Sequence, residues 1–250
     1  MNYPEYFALA LVVFGLSAYV AYEWLKLRRK IKDILATPTS QIASLLNGPK
    51  TRQGQTVEVK GMVMPAGPIL NAPYTDRDCV FYHSVKKDKV KEVSRDLGGK
   101  TRSHIRYNTV EELRSTDLFY VEDHTGKIAV DPAGLEIEGV RVMNTEKSCD
   151  GNPGAGFLGI FRPPEGDYYM AVLKEEHILP PKKRVYLIGQ LFQGRQGPFI
   201  GAPVEKTTTA FLSVKTEETL VEENRRQLYF YTAAWALAVI AGVFFIGMSR

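Results

Sequence analysis

Cysteine is scarce in this chain. There are two, Cys79 and Cys149, beside four histidines at 83, 104, 124 and 177. They form no C-x-x-C or H-x-x-x-H pair, so the paired ligands of a structural zinc site are missing. The sequence also lacks a G-x-S-x-G elbow and a P-loop, which removes the simplest signs of a serine hydrolase or a nucleoside triphosphatase. Charge is absent from two stretches, residues 6–22 and 228–248. A bilayer core of about 30 Å needs about 20 apolar residues in a helix. The second stretch meets that length. The first meets it when Glu23 sits at headgroup level between the interfacial aromatics Tyr22 and Trp24. Lysine and arginine are missing before the first stretch. That excludes the basic start of a cleaved signal peptide and implies an anchor that is kept.

The basic residues that are present cluster where a membrane boundary would be. Lys26, Arg28, Arg29, Lys30 and Lys32 follow the first apolar stretch, and Arg225 and Arg226 precede the second. Basic residues near a span stay on the cytoplasmic side. The expectation is therefore a two-span integral membrane protein with a cytoplasmic soluble domain and both termini outside, in a prokaryotic plasma membrane. Lys26, Arg28, Arg29, Lys30 and Lys32 are the candidates for contact with membrane lipids. Once these five, Arg250, Glu5 and Glu23 are set aside, the rest of the net charge of +4 vanishes. The charge balance thus gives no support to nucleic acid as a partner.

Between the anchors the pattern is mainly β. A short helix is expected to open at Thr37, with Pro38 at its first position, Ile42, Leu45 and Leu46 on one face, and Gly48 at its end. Val57-Glu-Val-Lys-Gly61 and Arg184-Val-Tyr-Leu-Ile-Gly189 are strands with an internal glycine, which marks a bend or bulge. Residues 79–93 make a strand running into a long hairpin arm, with 95–116 as a polar loop or tip. Leu118 to Val130 alternates around Asp123-His-Thr-Gly126, a hairpin turn in which Asp123 accepts backbone N–H bonds. Residues 148–166 are an irregular loop, and Tyr168 to Val172 returns to strand. The fold class is mainly β: an OB-like small barrel with a long hairpin arm, flanked by two transmembrane α-helices. The segments are 5–25, a transmembrane helix; 26–36, a basic juxtamembrane extension; 37–215, the β domain; 216–227, a connecting helix; and 228–248, a transmembrane helix.

Several of these pieces together resemble the GIDE domain, also called BAM for beside-a-membrane. Ile34-Leu-Ala-Thr37-Pro-Thr-Ser40-Gln-Ile-Ala-Ser-Leu45 is similar to its opening motif. Leu70-Asn-Ala-Pro73 with Asp78-Cys79-Val80-Phe81-Tyr82 resembles its central signature. Phe119-Tyr-Val-Glu-Asp123-His-Thr-Gly126-Lys-Ile-Ala-Val130 resembles its hairpin, and Glu175-Glu176 before Val185-Tyr186-Leu-Ile-Gly189 its close. The resemblance covers about residues 31–227 and implies a membrane-flanked binding or sensing domain. Well-known relatives are organellar membrane proteins with a C-terminal RING finger acting in ubiquitin ligation. That finger holds a pair of four-coordinate zinc ions, for which this sequence shows no ligand set. Ligase activity is therefore not carried over.

The chemistry of single residues leaves three readings. The leading one is a non-enzymatic module that binds a protein, peptide or lipid partner at the membrane surface, in envelope stress or signalling. Its candidate contacts are Lys86, Lys87, Lys89, Lys91, Arg102 and Arg106 on the arm, with the 148–166 loop. The second is a thiol-dependent enzyme. Cys79 and His83, four apart on one strand, would share a face and act as nucleophile and base. The third is a scaffold in which Ala233, Ala234, Ala236 and Gly242 support close helix packing in a homo-oligomer. No catalytic, cofactor or metal residue is assigned.

Overall fold

The computed structural model describes residues 4–47, 54–95, 100–149, 166–204 and 209–248. The expected helix end at Gly48, most of the 148–166 loop and Arg250 lie outside the described residues. In chain order the elements are α1 (Pro4–Ala36), α2 (Ile42–Leu46), β1 (Thr56–Pro65), β2 (Leu70–Asn71), β3 (Asp78–Cys79), β4 (Phe81–Arg95) and β5 (Thr101–Arg114). They continue with β6 (Phe119–Asp123), β7 (Gly126–Val130), β8 (Glu136–Glu138), β9 (Val140–Ser148), β10 (Gly166–Leu179), β11 (Arg184–Gly194), β12 (Gly197–Gly201), β13 (Phe211–Ser213) and α3 (Glu217–Met248).

Five strands close on themselves in the order β1-β6-β7-β12-β11 and back to β1. All neighbours in the ring are antiparallel except β12 and β7. Closure leaves these strands no free edge and turns their alternate residues inward. Val57, Val59, Val63, Phe119, Val121, Ile128, Val130, Val185, Leu187, Leu191 and Ile200 fill the interior. The two glycines expected as bends sit at the changes of partner. At Gly61, β1 passes from β11 to β6, and a Cβ there would lie 2.5 Å from the Glu122 carbonyl oxygen. At Gly189, β11 passes from β13 to β12, and a Cβ would lie 2.5 Å from Ile200 Cγ2.

One end of the barrel is plugged by α2, whose Ile42 and Leu45 are buried while Leu46 is 39% exposed. The expected helix start at Thr37 is corrected. Proline disfavours helix for the residue before it, so Pro38 stops α1, and Thr37 bonds back to the Asp33 carbonyl. Thr39 and Ser40 then run extended beside Glu58 of β1. The α2 helix begins only at Ile42, and its N-terminal amides are met from across the chain. Asp123 Oδ2 accepts from the Ile42 N–H (3.0 Å), and Thr125 Oγ1 from the Ala43 N–H (3.0 Å). Asp123 Oδ1 meanwhile closes its own turn, accepting from the N–H and hydroxyl of Thr125 and the N–H of Gly126.

Outside the barrel a second sheet has the order β5-β4-β10-β9, all antiparallel. This is the expected arm, but larger. Within the polar 95–116 stretch, residues 101–114 form β5, paired along β4, where a loop or tip was expected. The strand is exposed along nearly its whole length, so no apolar face marked it in the sequence.

The expectation of two membrane spans is met in part. Among the described residues one helix is long and apolar enough to cross a membrane, in Glu217–Phe244. In α1 the uncharged stretch 6–22 is followed at once by Glu23, Lys26 and Arg28. The two helices pack antiparallel. Trp24 Nε1–H donates to Thr232 Oγ1 (3.0 Å), and a Cβ on Gly242 would meet the Phe14 ring at 3.2 Å. Where they leave the barrel, Ile34, Leu220, Tyr186, Ile188 and Phe211 form one buried cluster.

Candidate functional site

Three parts of the barrel surface converge on one groove of about 1000 Å³. The segment after β1 contributes Pro65 to Pro68, with Asp117 and Leu118 from its return. The β6–β7 face contributes Tyr120, Lys127 and Ala129. The turn between β11 and β12 contributes Gly194 to Phe199. The groove forms here because the β7–β12 pairing is short, only Phe199 with Ala129 and Ile200 with Val130. Its wall is mostly apolar and aromatic. Phe199 stacks on Phe192 with centroids 5.4 Å apart, and Leu118 is 47% exposed. Polar character comes from four charges at the rim: Lys127, whose Nζ sits 4.8 Å from the Tyr120 ring centre, Arg195, Asp117 and Asp131. An apolar floor with a few placed polar groups is the usual form of a binding site.

Among the described residues two carboxylates are buried. Glu176 of β10 is fully enclosed, and its donors are neutral: the Tyr74 N–H (2.8 Å), the Ser84 hydroxyl (2.8 Å) and the Thr75 hydroxyl (2.5 Å). It ties the 72–77 segment to the arm. Glu58 of β1 accepts from Tyr186 Oη (2.7 Å) and Thr39 Oγ1 (2.5 Å), with Lys60 Nζ at 3.5 Å. Burial and then the Glu58 carboxylate push the Tyr186 phenol well above its ordinary value. Lys60 also pairs with Glu217 at 2.6 Å, which raises its ammonium pKa and joins β1 to the start of α3. Both carboxylates read as structural ties, since neither faces the groove.

The Cys79–His83 pair is not assembled. The ladder breaks at Val80, so Cys79 belongs to β3, paired with Leu70, and His83 to β4. Cys79 is fully buried among Ala72, Ile178 and partly buried neighbours. Burial first, then Glu176 and Asp78, pushes its thiol up to about 11. His83 points elsewhere, 2.8 Å from Glu112 on the arm surface. A thiol with that value is about one part in ten thousand thiolate at neutral pH. Native protein treated with a maleimide should label Cys79 at least about a hundredfold more slowly than the partly exposed Cys149, with the difference abolished in denaturant. Equal rates in the native state would contradict this geometry.

The other predicted contacts separate. On the arm, Lys89 pairs with Glu146 (2.7 Å) and lies over Tyr107, while Arg106 pairs with Glu92 (3.6 Å) and with Asp167. Lys86, Lys87 and Lys91 lie on β4 and Arg102 on β5, so none of the six borders the groove. On the stalk, Lys26, Arg28, Arg29 and Lys32 are exposed. Lys30 instead turns to the barrel, 4.7 Å from the Phe211 ring. Gly242, read as a packing residue between copies, faces Phe14 of its own chain. A G-x-G-x-x-G spacing exists at Gly154, Gly156 and Gly159, but the flanking strands β9 and β10 are antiparallel. A dinucleotide fingerprint joins parallel strands. Among the described residues no three His, Cys, Asp or Glu converge as a metal would need. The groove itself escaped the sequence reading, because its parts are scattered from Leu46 to Phe199 and share no motif.

A family model for GIDE, described as E3 Ubiquitin ligase, matches residues 89–245, more than half of the chain. No curated protein and no solved structure gave a match.

Proposed function

The chain belongs to the GIDE family, and on that footing we propose that it is a membrane-anchored binding module whose barrel groove receives an extended segment of a partner protein. The observation that carries this is the convergence of the β6–β7 face with the segments after β1 and after β11. Numbered within the barrel, these are the second and third strands, the first loop and the fourth loop. That is the face OB-type barrels use for ligands, and the ring order with one parallel pair supports calling this barrel OB-like. The ligase activity in the family description is not part of the proposal. Two cysteines and four histidines, scattered over the sequence, do not supply a pair of zinc sites.

The anchoring part of the proposal places α1 beside α3 in the bilayer, with the barrel on the cytoplasmic side. Exposed Leu11, Val12 and Leu16 on α1 and Leu237, Ile240 and Val243 on α3 support it. The Trp24–Thr232 bond sets the helix register. In that register Lys26, Arg28 and Arg29 lie level with the first residues of the apolar part of α3, close to Arg225 and Arg226. They make a basic collar suited to anionic headgroups.

The test is a photo-crosslinking amino acid placed at Phe199 in the groove, or at His104 on the arm, in the full chain in its native membrane. Phe199 should capture one defined protein, and Tyr120→Ala with Arg195→Glu should lower the yield by about tenfold or more. Equal capture of that protein from the arm position, or no effect of the double substitution, would move the binding site away from the groove.

A further inference from the structure

We infer that β5 is an edge through which two copies of this chain join, strand to antiparallel strand. It is the outer member of the β5-β4-β10-β9 sheet, and among the described residues its strand partner is β4 alone. Fourteen residues long, it is exposed almost throughout. The pairing with β4 runs without interruption from Thr101 to Thr109, and the shift at Val110 bends only the lower end. A straight, open edge of this length is a template for another strand. Native edges are guarded by shortness, cover, proline, charge or a bulge; β5 is long and proline-free, its bulge lies only at Val110, and its charges are sorted by sign along the strand. It also carries exposed apolar side chains in its centre: Ile105, Tyr107 and Val110, at 46%, 55% and 55%.

Charge on the strand selects the occupant. Arg102, His104 and Arg106 occupy the first half, and Glu111 and Glu112 the second. Arg114 does not offset them, because its guanidinium turns to the barrel, donating to the Pro132 and Leu135 carbonyls and stacking on Phe81. A second copy related by a two-fold axis runs antiparallel and sets each basic half against an acidic half. A parallel copy would set like against like. Arg102, Arg106, Glu111 and Glu112 already hold contacts within the chain, the last three to Asp167, Tyr74 and His83, yet all four stay exposed. The other edge, β9, has Glu146 beside Lys147 and shows no such segregation. Copies held in one bilayer meet at a raised effective concentration, which favours a contact of this modest size.

The experiment uses the full chain in native membranes with Asn108→Cys in a Cys149→Ser background, treated with a short bis-maleimide. A covalent dimer is expected. It should fall at least about tenfold with Glu111→Lys plus Glu112→Lys, which sets like charges against each other. Co-expressing the doubly lysine-substituted chain with an Arg102→Glu, Arg106→Glu chain should restore crosslinking between the two. That rescue separates a lost contact from a damaged arm. A monomer throughout, a crosslink to a different protein in place of a dimer, or charge reversal without effect and without rescue would each overturn the inference.

Discussion

Replacing Glu176 by alanine lowers the stability of the soluble region by about 3–5 kcal/mol, whereas Glu176→Gln costs about 1 kcal/mol. The difference follows from what surrounds the carboxylate. Tyr74 N–H and Ser84 Oγ both bond to Oε1, and Thr75 Oγ1 bonds to Oε2. Alanine leaves three donors without an acceptor in a fully enclosed site, and a void where the side chain was. Each stranded buried group costs about 1–3 kcal/mol. Glutamine keeps one acceptor oxygen for the first two donors. The Thr75 hydroxyl can then rotate and accept from the amide, since a hydroxyl serves in either role. Denaturant unfolding of the detergent-solubilised chain, followed by near-ultraviolet circular dichroism, reads both variants. Equal losses would mean that the site holds its loop by charge and not by the number of bonds. Proteolysis should report the same event locally, with cleavage in 72–77 rising first in the alanine variant.

The second large effect belongs to Asp123. Asp123→Ala should cost about 2–4 kcal/mol, because one carboxylate serves the β6–β7 turn and the start of α2 together. Its loss strands the amides of Ile42, Thr125 and Gly126. Burial by itself would raise this carboxyl. The hydrogen bonds from Thr125, Ile42 and Gly126 outweigh it and hold the group below its ordinary value. The linkage sign follows. A folded-state value below the unfolded one gives stability that is complete above the ordinary aspartate range, near about pH 4. It is withdrawn as pH falls through the lower folded-state value. The penalty of Asp123→Asn should therefore shrink as the pH is lowered through that window, when the wild-type carboxyl becomes neutral as well. A penalty that does not change between neutral and strongly acid pH would show that the bonds do not depend on ionisation.

The parts of this fold that could be read in the sequence are those where one residue type answers one local demand. The run from Phe119 to Val130 alternates cleanly about a turn that needs Asp123 and Gly126, and it became β6 and β7 with little adjustment. Gly61 and Gly189 were visible as bends because a strand keeps an internal glycine only where a side chain will not fit. By contrast, β5 sets only Ile105 and Tyr107 between charged and polar neighbours, too short an alternation to mark a strand of that length, and the ladder to β4 makes it one. The start of α2 is not legible because its cap is not local: Gln41 makes no side-chain cap, and Asp123, 81 positions after Ile42, supplies it. Spacing put Cys79 and His83 on one face, but a break in the ladder at Val80 undid that. The groove was beyond reach for the same reason as the cap, since closing the ring brings together loops that no sequence window contains.

The cluster of Ile34, Leu220, Tyr186 and Phe211, braced by the Lys60–Glu217 pair and the Thr209–Asp33 hydrogen bond, ties the barrel to both helices. A domain strung on one loose linker sweeps a hemisphere. This one is clamped to two stiff rods about ten residues beyond Trp24, or about 15 Å at helical rise. Under the proposed anchoring of α3 in lipid, the groove rides at a nearly constant altitude, with little room for its mouth to swivel. On that proposal, a partner arrives within a thin layer above the headgroups and from a restricted range of directions, so its search is closer to planar than to spatial.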